Sequence, residues 1–437
     1  MKSSISRLPG LYLVDHHFDV PLDYQEPSKG EKGEIKIFAR EAISIDNVNR
    51  SNMPWLIFFQ GGPGYHSPRP FANSGWFKRA LRDFRVLLLD QRGTGRSTPV
   101  TYQTMENIET DQAKADYLKN FRADSIVKDA EFIRKELVGD EGGWYGLGQS
   151  YGGFCLTHYL SAYPESLSGC LITGGIPPVG VAVDDVYRAT YKRCLKKNRQ
   201  YYERYPDDEA RVRTIVEFLS ENLVLLPGGG RLTAERFQQL GIAFGMSDGF
   251  EQVHYLVEDA FVSVNGRKEL SFGFLRGFEQ LQSFETNPIY VLLHEAIYCE
   301  NQASNWSAHR VREEFPQFSS EGIDGGTRVN FTGEMIYPWM LEQYDYLAPL
   351  KETANILAEF KDWPALYDQE QLRKNKVPVK ALVYNDDMYV ERAFSEKVAD
   401  VMGNTTLWMT NEYEHNGLRQ DGYRIVDRLL AMLRGEV

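Results

Sequence analysis

One serine of this sequence lies in a pattern that is typical of covalent catalysis. Gly148-Gln-Ser150-Tyr-Gly152 matches G-x-S-x-G, in which the serine occupies a sharp turn between a strand and a helix. The pattern needs small residues at both glycine positions, because a Cβ at either place would crowd the strained turn. A strand is predicted before the serine and a helix after it, and Gly153 adds room where that helix starts. Ser150 is therefore predicted to be a nucleophile.

A serine hydroxyl needs a general base, and the positions of the histidines indicate which of them could serve. In strand–turn–helix elbows of this kind the chain order is serine, then acid, then histidine. Of the histidines that follow Ser150, only His415 lies beyond the last predicted strands, in the polar loop Asn411-Glu-Tyr-Glu-His-Asn-Gly417. His415 is therefore the predicted base.

Two adjacent aspartates are candidates for the acid that orients this histidine. Asp386 and Asp387 come just after the predicted strand that ends at Tyr384. We expect Asp387 to be the acid, because in such folds the acid usually lies about three residues beyond the strand. Asp386 remains the alternative.

A glycine-rich turn follows the first predicted parallel strand. Gln60-Gly-Gly-Pro-Gly64 lets the backbone approach a substrate closely, because no side chain stands in between. A tetrahedral oxyanion needs two backbone N–H donors that are fixed in place. We expect them to be the amide of Tyr151 and the amide of Gly62, or that of its neighbour Gly61, whose backbone would also face the substrate.

The sequence predicts no metal and no other cofactor. Asp90-Gln-Arg-Gly-Thr-Gly-Arg-Ser97 is rich in glycine but lacks the lysine of a P-loop. Gly146-Leu-Gly148 lacks the third glycine of a dinucleotide-binding fingerprint. There is no H-x-x-x-H pair and no cluster of Cys and His residues with the spacing of a metal site.

Composition excludes some partners. Lys and Arg number 49 against 61 Asp and Glu, which gives a formal charge of −12 for 437 residues. An acidic surface repels phosphate backbones, so no nucleic-acid partner is expected. The first residues contain no apolar signal region, and no stretch of 18 uncharged apolar residues occurs. We therefore expect a cytoplasmic protein that does not associate with membranes.

The hydrophobic pattern predicts the elements that must hold these residues. Leu11 to Val20 and Glu34 to Ile45 alternate around a Pro/Gly/Lys-rich turn, which indicates an antiparallel hairpin. Short unbroken apolar runs then alternate with helical patterns, as in a buried parallel sheet. The runs are 54–59, 84–89, 142–148 and 167–173, and the rhythm resumes at 377–384 and 405–410. Residues 184–345 show helical periods without such runs. We predict an α/β core of residues 1–183 and 346–437, interrupted by a mainly helical cap of residues 184–345.

Together, four motifs resemble those of the proline iminopeptidases (prolyl aminopeptidases) of the α/β-hydrolase superfamily. They are Gly61-Gly-Pro-Gly64, Asp90-Gln-Arg-Gly-Thr-Gly-Arg-Ser97, Gly148-Gln-Ser-Tyr-Gly-Gly153 and the Asp387/His415 ending. The resemblance implies an α/β-hydrolase fold with a mostly parallel central sheet and an inserted helical cap. It also implies a metal-independent Ser-His-Asp triad that releases an N-terminal proline, or another small residue, from short peptides. An esterase, lactonase or amidase that uses the same triad on a small non-peptide substrate is the alternative.

An enzyme that removes one N-terminal residue must recognise the free amine, and carboxylates in the cap are the expected ligands. Glu295 and Glu334 are the candidates, because both lie among apolar and aromatic neighbours in the sequence. Tyr337, with the nearby aromatics Tyr298, Trp306 and Trp339, would either wall a pocket of pyrrolidine size or belong to the core of the cap.

Overall fold

The computed structural model describes residues 4–26, 33–50, 52–321 and 326–437. The predicted turn between the first two long strands falls largely on residues 27–32 and so lies outside the described residues. The strands are β1 (Ser4–Leu8), β2 (Leu11–Pro21), β3 (Glu34–Ser44), β4 (Trp55–Phe59), β5 (Arg85–Leu89), β6 (Trp144–Gln149), β7 (Leu167–Thr173), β8 (Val224–Leu225), β9 (Arg231–Leu232), β10 (Phe261–Val264), β11 (Arg267–Leu270), β12 (Val379–Tyr384) and β13 (Thr405–Thr410).

Helices lie between most of these strands. They are α1 (Gly75–Ala80), α2 (Tyr102–Met105), α3 (Asp111–Leu118), α4 (Ala123–Val138), α5 (Tyr151–Ala162), α6 (Val183–Arg204), α7 (Asp208–Glu221), α8 (Ala234–Gln238), α9 (Gly249–Glu258), α10 (Phe272–Gln280), α11 (Pro288–Leu293), α12 (Ser307–Arg312), α13 (Met340–Gln343), α14 (Lys351–Glu359), α15 (Gln369–Arg373), α16 (Arg392–Val401), α17 (Gly417–Gln420) and α18 (Gly422–Arg434). In the part of the chain that the structure describes, no helix is both long and apolar enough to cross a membrane.

Nine of the described strands form one sheet in the order β1-β2-β3-β5-β4-β6-β7-β12-β13. The pairs from β1 to β5 are antiparallel, and the predicted hairpin is confirmed by the pairing of Leu11–Pro21 with Glu34–Ser44. From β5 to β13 every pair is parallel. Parallel strands bring their carboxyl ends to one edge of the sheet, where the loops after β4, β6, β12 and β13 meet.

The parallel strands are buried on both faces, which explains their unbroken apolar runs. In β4, Leu56 and Phe58 pack into a core on one face of the sheet, while Ile57 and Phe59 pack into the core on the other. Helix α18 presents Ile425 and Leu429 to the first of these cores, and α5 packs on the opposite face beside α4. The sheet is thus fixed by two layers of helices, as the α/β pattern predicts.

Between β7 and β12 the described residues add no strand to this sheet. They form helices α6 to α15 and the two short ribbons β8–β9 and β10–β11. We call residues 184–345 the cap segment; the division of the chain at 184 and 345 stays a prediction.

Candidate active site

Ser150 occupies a strained turn between β6 and α5. Its φ of 53° and ψ of −124° place it in a backbone region that non-glycine residues seldom adopt. The neighbouring glycines make the turn possible. A Cβ on Gly148 would overlap the carbonyl oxygen of Gly152, and a Cβ on Gly152 would overlap that of Phe59. The amide of Ser150 is held by the carbonyl of Thr173 in β7 at 2.9 Å. The G-x-S-x-G spacing is therefore a steric requirement of this site.

His415 and Asp387 are joined by a hydrogen bond at the same edge of the sheet. His415 Nδ1 lies 2.8 Å from Asp387 Oδ2. An ionised carboxylate only accepts, so Nδ1 carries the proton and Nε2 keeps its lone pair. Asp387 is 1% exposed and its other oxygen accepts from the amides of Tyr389 at 2.8 Å and Val390 at 3.1 Å. The carboxylate is thus fixed by the turn that follows β12.

The two adjacent aspartates face different partners. Asp386 Oδ1 accepts from Lys196 Nζ at 2.5 Å and from Arg193 Nη1 at 3.3 Å, both on helix α6. These cations hold the pKa of Asp386 below its usual value, against the opposing effect of burial. Of the two candidates for the acid, the structure therefore brings Asp387 to His415 and turns Asp386 toward the cap segment.

Ser150 and His415 each lie close to one residue of the dipeptide Gly174-Gly175, directly after β7. A Cβ on Gly175 would overlap the carbonyl oxygen of Ser150, and a Cβ on Gly174 would lie 3.2 Å from His415 Nδ1. Within the described ranges, neither Ser150 Oγ nor His415 Nε2 makes a hydrogen bond. Hydrogen bonds between such groups commonly tighten only in the complex with substrate.

The charge environment favours the protonated form of His415. Burial alone would lower the pKa of this imidazole, but its charge and hydrogen-bond interactions with Asp387 outweigh burial, and Glu334 and Glu414 act in the same direction. The pKa of His415 is therefore raised above its ordinary value. His415 is 12% exposed, so the ring remains within reach of a ligand.

One of the predicted oxyanion donors, Gly61, lies directly beside the nucleophile. A Cβ on Gly61 would lie 3.0 Å from Ser150 Cβ and 3.6 Å from Ser150 Oγ, so the backbone of Gly61 passes directly beside the hydroxyl. Gly62 follows with a φ of 143°. Tyr151 is the first residue of α5, where backbone N–H groups have no acceptor within the helix. Among the described residues the amides of Gly62 and Tyr151 make no hydrogen bond.

Glu334 is the cap carboxylate that faces this edge of the sheet. Its Oε1 accepts from the hydroxyl of Tyr290 in α11 at 2.7 Å, and its side chain is 13% exposed. Burial raises the pKa of Glu334 to about 7; the charge of His415 and the Tyr290 hydrogen bond oppose that rise, and Asp387 adds to it. Glu334 therefore shares one electrostatic cluster with the Asp387–His415 pair.

The glycine-rich loop after β4 contacts helix α11, which carries the Tyr290 that donates to Glu334. A Cβ on Gly64 would lie 2.8 Å from the amide nitrogen of Tyr290 and 2.9 Å from Ile289 Cβ. Gly64 has a φ of 86°, which favours glycine. The close approach of this loop to α11 thus connects the predicted oxyanion donors to the cap segment.

Glu295, the other predicted cap carboxylate, is already bound within the protein. Its two oxygens accept from the amides of Ser307 at 3.0 Å and Ala308 at 2.9 Å, at the start of helix α12. Burial raises its pKa, and these hydrogen bonds oppose that rise. A carboxylate at a helix N-terminus is a favourable structural cap, so Glu295 has less capacity than Glu334 to bind a ligand.

Tyr337 is buried inside the cap segment, and its contact with substrate stays a prediction. The side chain is 0% exposed, its hydroxyl lies 3.0 Å from that of Tyr191, and its ring stacks on Trp339 with centroids 5.3 Å apart. It belongs to the core of the cap segment, the other reading that the sequence left open.

Two residues at the site were missed by sequence reasoning. Tyr290 donates to Glu334, and His294 lies four residues further on, with Nε2 at 4.0 Å from Glu334 Oε2. Burial lowers the pKa of His294 to about 3, so the imidazole is neutral. Their spacing of four residues on one helical segment was the available signal. Nothing in the sequence, however, indicated which face of that segment would meet Glu334.

The described residues contain no group of three or more His, Cys, Asp or Glu side chains that could hold a metal ion.

Comparisons with known proteins find a family model, relatives and a solved structure that are similar to this chain. Residues 54–239 match the family model described as alpha/beta hydrolase fold. The chain is 49% identical over 428 residues to a proline iminopeptidase of Aeromonas sobria, covering 98% of both chains. It is 35% identical over 420 residues to the proline iminopeptidase aneH of Aspergillus aculeatus, covering 95% of this chain and 92% of that one. The solved proline iminopeptidase of Mycobacterium smegmatis is 11% identical, with a TM-score of 0.41 and coverage of 99% of this chain and 98% of that one. With relatives this similar over almost the whole length, the chain belongs to the proline iminopeptidase family of the α/β-hydrolase fold.

Proposed function

We propose that the protein is a serine aminopeptidase that releases an N-terminal proline from short peptides through an acyl-enzyme on Ser150. The observation that carries the proposal is the hydrogen bond between His415 Nδ1 and Asp387 Oδ2 at 2.8 Å, beside the strained turn of Ser150. The names of the two similar relatives, both proline iminopeptidases, support the choice of substrate.

The proposed reaction has two acyl-transfer steps. Ser150 Oγ attacks the carbonyl carbon of the first residue, and its proton passes to His415 Nε2. The amides of Tyr151 and of Gly62, or its neighbour Gly61, donate to the oxyanion of the tetrahedral intermediate. His415 then protonates the leaving amine, and Asp387 stabilises the imidazolium in between. A water molecule repeats the sequence on the acyl-enzyme and releases free proline.

Glu334 is the proposed ligand for the substrate amine. In the described structure it accepts one hydrogen bond, from Tyr290, although a carboxylate has room for about four. Its pKa of about 7 reflects the cost of holding an anion in a buried place. A protonated N-terminus would offset that cost and supply the missing donors. This pairing would select free N-termini and so limit the enzyme to exopeptidase action.

The proposed chemistry uses only protein groups, so no cofactor is needed. The cytoplasmic location and the lack of nucleic-acid and membrane partners stay predictions.

The test is a comparison of three substrates on wild type and on Ser150→Ala. Proline 4-nitroanilide should be cleaved efficiently, N-acetylproline 4-nitroanilide at least about 100-fold more slowly, and 4-nitrophenyl acetate weakly. Ser150→Ala should lose about 10⁴- to 10⁶-fold in kcat with an unchanged circular dichroism spectrum. Ser168→Ala, which alters an exposed serine on β7, is the matched control and should retain full activity.

Near-normal turnover in Ser150→Ala would overturn the assignment of the nucleophile. Equal turnover of the free and acetylated proline substrates would overturn recognition of the amine. Such a result would favour the esterase, lactonase or amidase alternative.

A further inference from the structure

Helix α6 carries three cations toward the loops that hold the proposed catalytic acid and base. Arg193, Lys196 and Lys197 are spaced by three and four residues, so they lie on one face of the helix. Arg193 makes two hydrogen bonds to Glu391, at 2.6 and 2.7 Å, from its Nε and Nη2 atoms. Together with the contacts of Arg193 and Lys196 to Asp386, these bonds tie the turn after β12 to the cap segment.

Lys197 makes the corresponding contact to the turn after β13. Its Nζ lies 2.5 Å from Oε1 of Glu414, the residue that directly precedes His415. The lysine side chain is 3% exposed. Within the described part of the chain, Glu414 is the only hydrogen-bond partner of this Nζ. The second oxygen of Glu414 is buried without a partner, and burial raises the pKa of this glutamate while Lys197 lowers it.

The same turn is also held through its backbone and through Asn416. The amide of His415 donates to the carbonyl of Gly245 at 3.1 Å, and the carbonyl of His415 accepts from Gln149 Nε2 at 3.1 Å. The side chain of Asn416 accepts from the amide of Ser247 at 3.1 Å. Gly245 and Ser247 belong to the cap segment, so the cap holds the residues on both sides of the imidazole.

Stability alone is a poor explanation for a buried lysine with one partner. Taking the lysine charge out of water is costly, while the Glu414 side chain that pairs with it stays 30% exposed. Well-packed apolar residues of similar volume are often as stabilising as such a pair. A charged pair does, however, define one geometry. Separating the partners leaves an uncompensated charge in a desolvated place, which costs much more free energy than keeping the pair together. The position of this pair next to His415 indicates what that geometry is for.

We propose that Lys197 is a positioning residue for His415, acting through Glu414 to hold the imidazole where it can meet Ser150. The inference rests on the catalytic role proposed above for His415. It follows that Ser150, Asp387 and His415 reach their catalytic arrangement only when α6 is packed on the core.

The proposal predicts opposite charge effects for the two partners. Charged groups from several elements face this turn. The cations are on α6, and the carboxylates lie in the loop after β12, in the loop after β13 and in the cap segment. In that order they are Arg193, Lys196 and Lys197; Asp386, Asp387 and Glu391; Glu414; and Glu334. Removing Lys197 leaves Glu414 unpaired and should stabilise the imidazolium. Removing the charge of Glu414 should destabilise it.

The experiment compares Lys197→Met, Glu414→Gln, the double variant and Lys197→Arg. Lys197→Met should lower kcat by about tenfold or more while KM changes by less than about threefold, because the base is displaced but the substrate pocket is not. The acidic limb of the kcat/KM profile of Lys197→Met should move to higher pH by about 0.5 to 1 unit. The acidic limb of the profile of Glu414→Gln should move to lower pH, because an anion beside His415 is gone. Lys197→Arg should recover part of kcat. The double variant should have a limb near that of wild type but a low kcat.

Arg188→Met is the matched control. It removes a cation from the same helix, but Arg188 pairs with Glu314 and Asp185, away from the two loops. Its kcat and its pH limb should match those of wild type. Thermal unfolding of every variant is measured alongside, because Lys197→Met leaves the half-buried Glu414 without its partner and so lowers stability.

A wild-type kcat and pH limb in Lys197→Met would overturn the proposal. Loss of activity in proportion to loss of folded protein, with no movement of the limb, would also overturn it in favour of a structural role. If Lys197→Met does not fold, two other measurements test the positioning role. They are the shift of the acidic limb to lower pH in Glu414→Gln and the low kcat of the double variant. The absence of that shift would reject the proposal.

The rate at which a fluorophosphonate probe labels Ser150 separates this inference from the proposed function. Labelling requires an activated serine but not recognition of an N-terminal proline. Wild type that is labelled yet fails to cleave proline 4-nitroanilide would reject the substrate assignment. The slower labelling expected of Lys197→Met would then still test the positioning role.

Discussion

Asp387 and Glu334 are both buried carboxylates, but the sheet edge and the cap segment hold them in different ways. Asp387 accepts from His415 and from the amides of Tyr389 and Val390. Glu334 accepts one hydrogen bond in the described structure, from Tyr290. A carboxylate with several fixed donors keeps one orientation, whereas an under-coordinated one in a desolvated place is costly to ionise. The pKa of Glu334, raised by burial to about 7, expresses that cost.

This contrast separates a carboxylate whose hydrogen bonds are made within the protein from one that has capacity left for a ligand. The donors to Asp387 come from its own turn and from the loop after β13. The hydrogen bonds of this carboxylate are therefore made before any substrate binds. The environment of Glu334 lacks a cation close enough to make a salt bridge, apart from histidines, among the described residues. An ammonium group from a ligand would fill that role.

Removing the charge at the sheet edge should have the largest effect. Asp387→Asn keeps the size of the side chain but no longer fixes the Nδ1–H tautomer of His415, so we expect kcat to fall about 10⁴-fold. The measurement is turnover of proline 4-nitroanilide, with circular dichroism to confirm folding. Asp386→Asn is the matched control, since it changes the adjacent aspartate that bonds to Lys196, and it should stay within about tenfold of wild type. Equal losses in the two variants would contradict the assignment of Asp387.

Removing the charge in the cap segment should have a smaller and more selective effect. Glu334→Gln should lower kcat/KM for proline 4-nitroanilide by about 10- to 100-fold, because one charge-assisted hydrogen bond to the ammonium is lost. The slow hydrolysis of N-acetylproline 4-nitroanilide should not change. A parallel loss on both substrates would mean that Glu334 supports the triad rather than the amine.

The pH dependence should report both groups at once. Activity requires His415 neutral and Glu334 ionised, and both groups have raised pKa values, that of Glu334 reaching about 7. Activity is therefore lost as the pH falls through these values, and log kcat/KM should approach a slope of about 2 on the acidic side. In Glu334→Gln the slope should fall to about 1, a change of about tenfold per pH unit. The limb should also move to lower pH, because an anion near His415 is gone. A slope of 1 in wild type would argue against a requirement for ionised Glu334.

The smallest effect on activity is expected for Glu295→Gln. This residue caps helix α12, so its replacement should lower the free energy of unfolding by about 1 to 2 kcal/mol. The value of kcat/KM for proline 4-nitroanilide should stay within about threefold of wild type. Chemical denaturation and steady-state kinetics on the same preparation provide the check. A loss in kcat/KM as large as that of Glu334→Gln would show that both glutamates serve the substrate.

The parts of the site that sequence patterns predict well are those fixed by local backbone geometry. The turn of Ser150 requires glycines at fixed spacing, because Gly148 and Gly152 each meet a backbone carbonyl. The parallel strands are equally predictable, because strands that are buried on both faces appear as short unbroken apolar runs. The order of the loops that carry the acid and the histidine follows from the strand–turn–helix elbow. Asp386 and Asp387 are adjacent in the sequence, at the end of the same strand. Only the directions of their side chains, toward Lys196 and toward His415, show which one is the acid.

The cap segment is less predictable because its groups are held by partners that are distant in sequence. Glu295 and Glu334 have similar neighbours along the chain, yet one caps a helix and the other meets Tyr290. Tyr337 belongs to an aromatic core with Tyr191, a contact that spans much of the cap segment. Lys197 reaches Glu414 across more than two hundred residues, and no periodicity marks such a pair.

The parallel pairing of β7 with β12 joins strands about 200 residues apart. During synthesis the amino-terminal strands emerge first, so the edge of β7 is left without its neighbour while the whole intervening segment is made. Non-local pairings of this kind slow folding, and an open strand edge invites association with other chains. A nascent chain arrested before β12 should therefore depend on chaperones. The active site should form only after β12 and β13 have been made, since these strands complete the sheet and carry the loops with Asp387 and His415.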